Sequence, residues 1–339
     1  MTNKIILQDA QRICARVNLD ILHDATILIT GASGLIGTHI LACLCHLRER
    51  GVGTRVYAQV LSKPSPHITE LVLQGGFEVL RADLANFDEY AHLPQADLII
   101  HAAGYAQPAM FMANPAATIQ VNTSATTALL KRLSSGGRFL FVSSSEIYSG
   151  LNKPFLSEAD IGLTTPSHPR SAYIEGKRCG EAICNAFRAQ GMHVTVARVA
   201  LAYGPGTRKH DRRVLNSFIE KALCQRKIEL LDAGTAVRTY CYVADTVELL
   251  WQILLYGREP VYNVGGRSTV LIADLARMIG ELTGTTVVFP TTQAGVAGAP
   301  GEVHLDLTRV ETEFGKTQYV GLEEGLRATI DWQRELYLQ

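Results

Sequence analysis

The stretch "ILITGASGLIGTHI", Ile27 to Ile40, decides how the rest of the chain is read. A run of β-branched and aliphatic residues leads into three glycines, Gly31, Gly34 and Gly37, and apolar residues then continue at helical spacing. Strand, glycine-rich turn and helix in that order give each glycine a task. Gly31 permits the tight turn after the strand, Gly34 lets the backbone approach a bound group, and Gly37 allows the new helix to pack closely. A helix that starts at such a turn presents unpaired N–H groups, which suit phosphate oxygens. Ser33, Leu35 and Ile36 complete the turn. The spacing alone is weak evidence, but its flanking strand and helix make a dinucleotide diphosphate the expected ligand.

Working outward, short β-rich runs alternate with stretches of helical spacing through the first two hundred residues. The runs are Thr26–Thr30, Arg55–Leu61, Phe77–Arg81, Leu98–His101, Arg138–Ser143 and His193–Val199; the helical stretches include Ile36–Arg50, Ala116–Ser134 and Ala172–Gln190. This alternation predicts an α/β fold built on a doubly wound parallel sheet. After Gly204-Pro205-Gly206 the pattern changes to short strands and helices near Val214–Cys224, Ala244–Leu255, Ile272–Thr283 and Leu322–Leu336, which predicts a second, smaller α/β lobe. The expected division is an N-terminal helical arm over 1–24, a dinucleotide-binding domain over 25–200 that also receives about 237–264, and a substrate lobe over 201–339. A small-residue loop, "QAGVAGAPGE", is expected at 293–302.

Lysine plus arginine balances aspartate plus glutamate at 32 each, so no general field favours nucleic acid or an anionic membrane. The first twenty residues mix charges among apolar positions and no run is long enough to span a bilayer, so a cytoplasmic protein is expected. Seven cysteines, Cys14, Cys43, Cys45, Cys179, Cys184, Cys224 and Cys241, form no C-x-x-C pair and read as reduced, mostly buried thiols. His304-x-Asp306 is the only tempting local metal pair, and no metal site is expected.

In order, "TGASGLIG" (30–37), "ADL" (82–84), "HAAG" (101–104), "NPAATIQVN" (114–122), "FVSSSEIY" (141–148), "YIEGK" (173–177), "ARVALAYGPG" (197–206) and "RTYCYVAD" (238–245) resemble the extended short-chain dehydrogenase/reductases that modify nucleotide-sugars. The resemblance runs from about Ala25 to the C-terminal helix and implies a Rossmann-type sheet. It makes Tyr173 and Lys177 the catalytic pair, with Ser144 the hydroxyl that accompanies them. Tyr173 and Lys177 are four apart on an expected helix and share a face; an ordinary surface pair would have the same spacing, and Ser144, 29 positions before the tyrosine, separates the two readings. Tyr173 would take a proton from a sugar hydroxyl while hydride leaves the same carbon, and Lys177 would also hold the nicotinamide ribose. The resemblance gives Asp83 and Leu84 to the adenine, Ala102, Ala103 and Gly104 to the middle of the cofactor, and places Asn122 behind the tyrosine. At the end of the second strand, "VYAQVLSKP" offers Gln59, Ser62 and Lys63 where NAD-using relatives usually carry an acidic residue. NAD is favoured, and Ser62 with Lys63 leaves NADP open.

The tripeptide Ser144-Ser145-Glu146 bears on the step after oxidation at C4. Thymidine-linked glucose 4,6-dehydratases carry Thr-Asp-Glu there, whereas UDP-glucuronate decarboxylases and GDP-mannose 4,6-dehydratases carry Thr-Ser-Glu. "PRSAYIEGKR", "RRVLNSFIEKAL" (212–223) and "NPAATIQVN" lean toward the decarboxylases. Substrate contacts are expected from Ser145, Glu146, Arg213 and Arg238, the last matching an arginine on the nucleotide diphosphate. Two departures fall on the substrate side: Leu201 replaces an asparagine, and "GEVHLD" puts Glu302, Val303 and His304 where an arginine pair usually precedes the late aspartate, Asp306. The leading expectation is decarboxylation of a UDP-hexuronate; the alternatives are 4,6-dehydration, 4-epimerisation, plain C4 oxidation, or a noncatalytic NAD(P) sensor. A homodimer is expected through the segments Ala116–Ser134 and Ala172–Gln190, whose small apolar residues suit a close-packed isologous contact.

Overall fold

The computed structural model describes residues 4–290 and 304–338, so the loop expected at 293–302 lies outside the described residues. The chain runs α1 (Lys4–Arg16), β1 (Thr26–Thr30), α2 (Leu35–Glu49), β2 (Arg55–Val60), α3 (Pro66–Gly75), β3 (Glu78–Arg81), β4 (Ala96–His101), α4 (Pro108–Ala113), α5 (Pro115–Asn122), α6 (Ser124–Leu130), β5 (Leu133–Ser144), α7 (Ser171–Ala189) and β6 (His193–Val199). It continues through β7 (Ala202–Tyr203), α8 (Val214–Gln225), β8 (Lys227–Glu229), β9 (Val237–Tyr242), α9 (Val243–Tyr256), β10 (Val261–Val264), β11 (Ser268–Leu271), α10 (Ile272–Thr283), β12 (Thr286–Val288), α11 (Thr308–Phe314) and α12 (Leu322–Tyr337).

Seven strands pair in parallel in the order β10-β6-β5-β4-β1-β2-β3. The chain leaves β1 toward β2 and later returns to β4 on its other side. The order therefore reverses between β1 and β4, and ligands of such sheets bind above the strand ends at that point. Strand side chains alternate between two cores. Ile27 and Ile29 of β1 pack with Ile40 and Leu44 of α2 and Val247 and Leu250 of α9, whereas Leu28 faces Ile99, Leu129 of α6 and Phe141. Both faces are covered, as a parallel sheet requires.

Beyond the large sheet, β11, β9 and β7 form a three-stranded sheet and β12 pairs with β8. Of the stretch 237–264 expected to return to the large sheet, Val261–Val264 pairs with β6, while Val237–Tyr242 lies in the three-stranded sheet. The arm begins with α1, which packs on α2 and α9 and buries Ile6, Ala10, Ile13 and Cys14. Each isoleucine contributes about 2 kcal/mol of burial. The buried Asp9 carboxylate accepts from the Tyr242 hydroxyl at 2.7 Å. Five cysteines are buried; Cys179 and Cys224 are exposed.

The single helix expected over 116–134 is instead α5 and α6, broken at Thr123, followed by a strand that already starts at Leu133. Thr118, Asn122, Thr123 and Thr126 each bond the carbonyl four residues earlier, at 2.7–2.8 Å. Such local bonds compete with the helical ladder and bend it. Ser134-Ser135-Gly136-Gly137 forms a bulge within β5, where pairing to β4 jumps from Leu133 to Arg138.

Candidate active site

At the end of β1, Gly31 has φ +68°, and a Cβ there would lie 2.7 Å from the Ala102 carbonyl oxygen. A Cβ on Gly37 would lie 2.5 Å from the Gly31 oxygen. Only glycine fits either position, so turn and helix approach as closely as backbone allows. Gly34 is the N-cap of α2 without a side-chain cap, which leaves the first N–H groups of the helix directed outward. This cradle fits a dinucleotide diphosphate. Gln59 does not face it: buried at the end of β2, it accepts from Gly31 N (3.0 Å) and donates to the Ala82 oxygen (2.6 Å), bracing the turn. Ser62 and Lys63 follow β2 and are exposed. Asp83 is exposed and caps Ala85 N at 2.9 Å, and Leu84 is buried beside it.

A buried relay fixes the crevice between β1 and β4. His101 donates through Nε2 to the Val121 oxygen (2.9 Å), so its Nδ1 accepts from Thr30 Oγ1 (2.7 Å), and Thr30 in turn accepts from Ala103 N (3.2 Å). Burial, with Lys177 nearby, pulls His101 down to about 3, so it stays neutral. Ala102, Ala103 and Gly104 are thereby held opposite the glycine turn. Lys177 Nζ lies 3.9 Å from where a Gly104 Cβ would sit.

Strand β5 ends in Ser144, and Ser145–Tyr148 turns immediately into a short 3-10 helix. Helix α7 carries Tyr173 and Lys177 on its buried face. Glu181 fixes helix to sheet, accepting from Ser143 Oγ at 2.5 Å and from Arg198 at 2.8 Å. Gly180 allows the close approach, since a Cβ there would meet Phe141 at 2.5 Å and the Asn122 oxygen at 2.7 Å. Asn122 is fully buried, donates to the Thr118 oxygen, and has an Oδ1 without a partner among the described residues. The Ser144 hydroxyl accepts from Glu146 N at 3.2 Å and lies close enough to the Tyr173 phenol to favour its ionised form. Lys177 Nζ donates to the Val142 oxygen at 2.7 Å and lies 5.8 Å from the Tyr173 ring centre.

Burial dominates the electrostatics here. It pushes Tyr173 up to about 12, opposed by the Ser144 hydroxyl, reinforced by Glu146, and opposed again by Arg170 and Arg213. It also pulls Lys177 down to about 8. Burial raises Glu146 as well, against the pull of Arg170, so this carboxyl keeps a proton to higher pH than a surface glutamate.

Two residues of this cluster were not singled out in the sequence. Arg170 pairs with Glu146, and its guanidinium lies 5.3 Å from the centre of the Phe111 ring. Phe111 stacks on Tyr173 at 4.6 Å with the rings 13° apart. Arg170 Nε and Glu146 Oε2 are buried without partners among the described residues. The signal for Arg170 was its place three residues before Tyr173; Phe111 had none, because α4 was not expected.

The structure thus brings Ser144, Glu146, Tyr173 and Lys177 together, with Gly104 against the lysine and the charge of Arg213 reaching the tyrosine. Arg213 pairs with Asp211 at 2.6 Å. Arg238, on β9, donates to the Val237 oxygen at 2.7 Å and acts on Tyr240. Ser145 is half-buried beside Glu146, and Leu201 is 40% exposed. Of the "GEVHLD" substitutions, Glu302 and Val303 lie outside the described residues, whereas His304 contacts Thr239 Oγ1 at 3.3 Å. Among the described residues, no group of three or more His, Cys, Asp or Glu could hold a metal ion, and no helix is long and apolar enough to cross a membrane.

Comparison with known proteins accords with this geometry. UDP-glucuronic acid decarboxylase 1 of Xenopus tropicalis is 30% identical over 315 residues, 91% of this chain and 72% of its own length. Among solved structures, MoeE5 in complex with UDP-glucuronic acid and NAD is 26% identical with a TM-score of 0.73, over 92% of this chain and 99% of its own. The UDP-glucose 4-epimerase of Thermotoga maritima with UDP-glucose is also 26% identical, with a TM-score of 0.78 over 93% and 100%. The family model described as the NAD dependent epimerase/dehydratase family matches residues 27–265. Cradle, sheet order and matches together make the chain a member of the NAD-dependent epimerase/dehydratase family.

Proposed function

We propose that the protein binds a nucleotide-diphosphate sugar, oxidises the sugar at C4, and uses the resulting ketone to decarboxylate a UDP-hexuronate. The observation that carries this reading is the convergence of Ser144, Tyr173 and Lys177 on one buried point, with a protonatable Glu146 beside them. In this reading Gly31, Ser33, Gly34, Leu35, Ile36 and Gly37 hold the dinucleotide diphosphate, Asp83 and Leu84 the adenine, and Ala102, Ala103 and Gly104 its middle. NAD, when bound there, would supply the acceptor for the C4 hydride and the donor for its return, and its positive ring would favour the phenolate of Tyr173.

Tyr173 takes the proton of the C4 hydroxyl while Ser144 holds that oxygen, and gives it back to the same oxygen when the ketone is reduced again. Lys177, charged below about pH 8, stabilises the phenolate and grips the nicotinamide ribose. With C4 a ketone, a C6 carboxylate is part of a β-keto acid: the bond to C5 breaks, carbon dioxide leaves, and the electron pair becomes an enolate. Glu146, whose carboxyl is raised by burial, delivers the proton that C5 then needs. Arg238 is assigned to the nucleotide diphosphate, and Ser145 and Arg213 to substrate binding. The cofactor half spans 25–200 with about 237–264, the substrate half is mainly 201–339, and the cytoplasmic homodimer forms through the segments 116–134 and 172–190, which hold α5, α6 and α7.

The relatives named as UDP-glucuronic acid decarboxylases support the choice of second step. The test is a panel of UDP-, GDP-, CDP- and thymidine-linked sugars with product masses read out. Loss of carbon dioxide from UDP-glucuronate supports the proposal. Loss of water from a hexose, inversion at unchanged mass, reduction of NAD in step with product, or NAD binding without any turnover would each replace it.

A further inference from the structure

We infer that Arg208, from the substrate half of the chain, is a phosphate-binding residue for the dinucleotide and closes the glycine-rich turn over its diphosphate. The inference rests on the dinucleotide reading of that turn but on no assumption about the sugar. The turn "GASGLIG" contains no basic residue, so backbone N–H groups and a helix terminus of about half a charge are all it offers to a doubly charged diphosphate. Arg208 supplies the missing cation. Its Nη2 donates to Ser33 Oγ at 2.8 Å and to the Ser33 oxygen at 3.2 Å, with Nε at 3.4 Å. Ser33 directly precedes Gly34, the N-cap of α2. The guanidinium is exposed and its Nη1 has no partner among the described residues, so donors remain for phosphoryl oxygens.

The loop that carries Arg208 is built to stay over the turn. Gly204 and Gly206, at φ +151° and +90°, let the chain double back, and a Cβ on Gly206 would touch Thr38 of α2 at 3.4 Å. Trp332, fully buried on α12, donates to the Thr207 oxygen at 2.9 Å, and His210 N donates to the Tyr337 hydroxyl at 2.6 Å. His67 packs edge-on against Trp332 at 5.0 Å. Burial, helped by Arg208, pulls His67 down to about 4, so it stays neutral and adds no competing charge. Farther along, the same segment carries Arg213, whose charge reaches Tyr173 and which pairs with Asp211 at 2.6 Å.

The test measures dissociation constants of NAD, NADP, ADP-ribose and adenosine for dinucleotide-depleted full-length protein, as wild type, Arg208→Ala and Arg208→Lys. Arg208→Ala should weaken NAD, NADP and ADP-ribose alike by at least about tenfold, the scale of one charge-assisted hydrogen bond. Arg208→Lys should recover part of that loss. Adenosine, which lacks the diphosphate, should bind all three proteins equally. NAD affinity within twofold of wild type in Arg208→Ala overturns the inference. So does a loss confined to NADP, which would assign Arg208 to the 2′-phosphate, or an equal loss of adenosine, which would mark a structural role. A wild type that binds no dinucleotide removes the cofactor reading itself and this assignment with it.

Discussion

At Lys177, function and stability pull in opposite directions. Burial lowers its ammonium from the ordinary 10.5 to about 8, so the folded chain holds this proton less readily than the unfolded chain. At about 1.4 kcal/mol per tenfold, that fall is a penalty on the folded state of about 3 kcal/mol at pH 7. Between pH 8 and 10.5 the unfolded chain binds more protons, so stability rises with pH in that window; the penalty is fully present below pH 8 and absent above 10.5. Lys177→Met removes the charge and keeps most of the volume. It also removes the donor to the Val142 oxygen, a loss of about 1 kcal/mol. The dinucleotide-free variant should therefore be more stable than wild type by about 2 kcal/mol at pH 7, with the advantage gone by about pH 10, while turnover falls at least about a hundredfold. Urea unfolding of both proteins at the two pH values measures this directly. A variant less stable at pH 7, or a difference that does not change with pH, would refute the reasoning.

Gly31→Ala would force a side chain into a positive φ and against the Ala102 oxygen, so it should lose about 2–5 kcal/mol of stability in urea and most of its bound dinucleotide. Glu146→Gln keeps an acceptor for Arg170 and should lower stability by only about 1–2 kcal/mol, yet block the second step. Reduced cofactor, absorbing near about 340 nm, would then accumulate with a bound C4-keto sugar; product formation at the wild-type rate would remove this glutamate from the mechanism. Ile119 is 44% exposed on α5, one of the helices assigned to the dimer contact, and light scattering at micromolar concentration should give twice the chain mass. A monomer would exclude that contact.

The parallel sheet was legible because each strand is a short apolar run bounded by turn residues, and "TGASGLIG" ties β1 to α2 by a requirement for glycine that no other residue meets. The split of α5 from α6 was not legible. Periodicity continues across Thr123, and the break comes from threonine hydroxyls that bond their own helix. Helix α4 was missed because it is six residues long, too short for a periodic signal, and with it went Phe111. Ser144, Tyr173 and Lys177 were legible through the family resemblance, because their order and spacing match its motif. Gln59 shows the limit of that approach: its position suggested a ribose contact, while its amide is spent on Gly31 and Ala82. Arg208 acts through a partner 175 positions away, which no local pattern records.

The most direct measurement of the central claim uses UDP-glucuronate labelled with deuterium at C4 and carbon-13 in the carboxylate, given to wild-type protein without added NAD. The account predicts many turnovers per chain, release of the labelled carbon dioxide, and a UDP-pentose that retains its C4 deuterium, because the hydride taken from that carbon returns to it. Loss of the deuterium from the product, or a keto sugar formed only in proportion to added NAD, would contradict it.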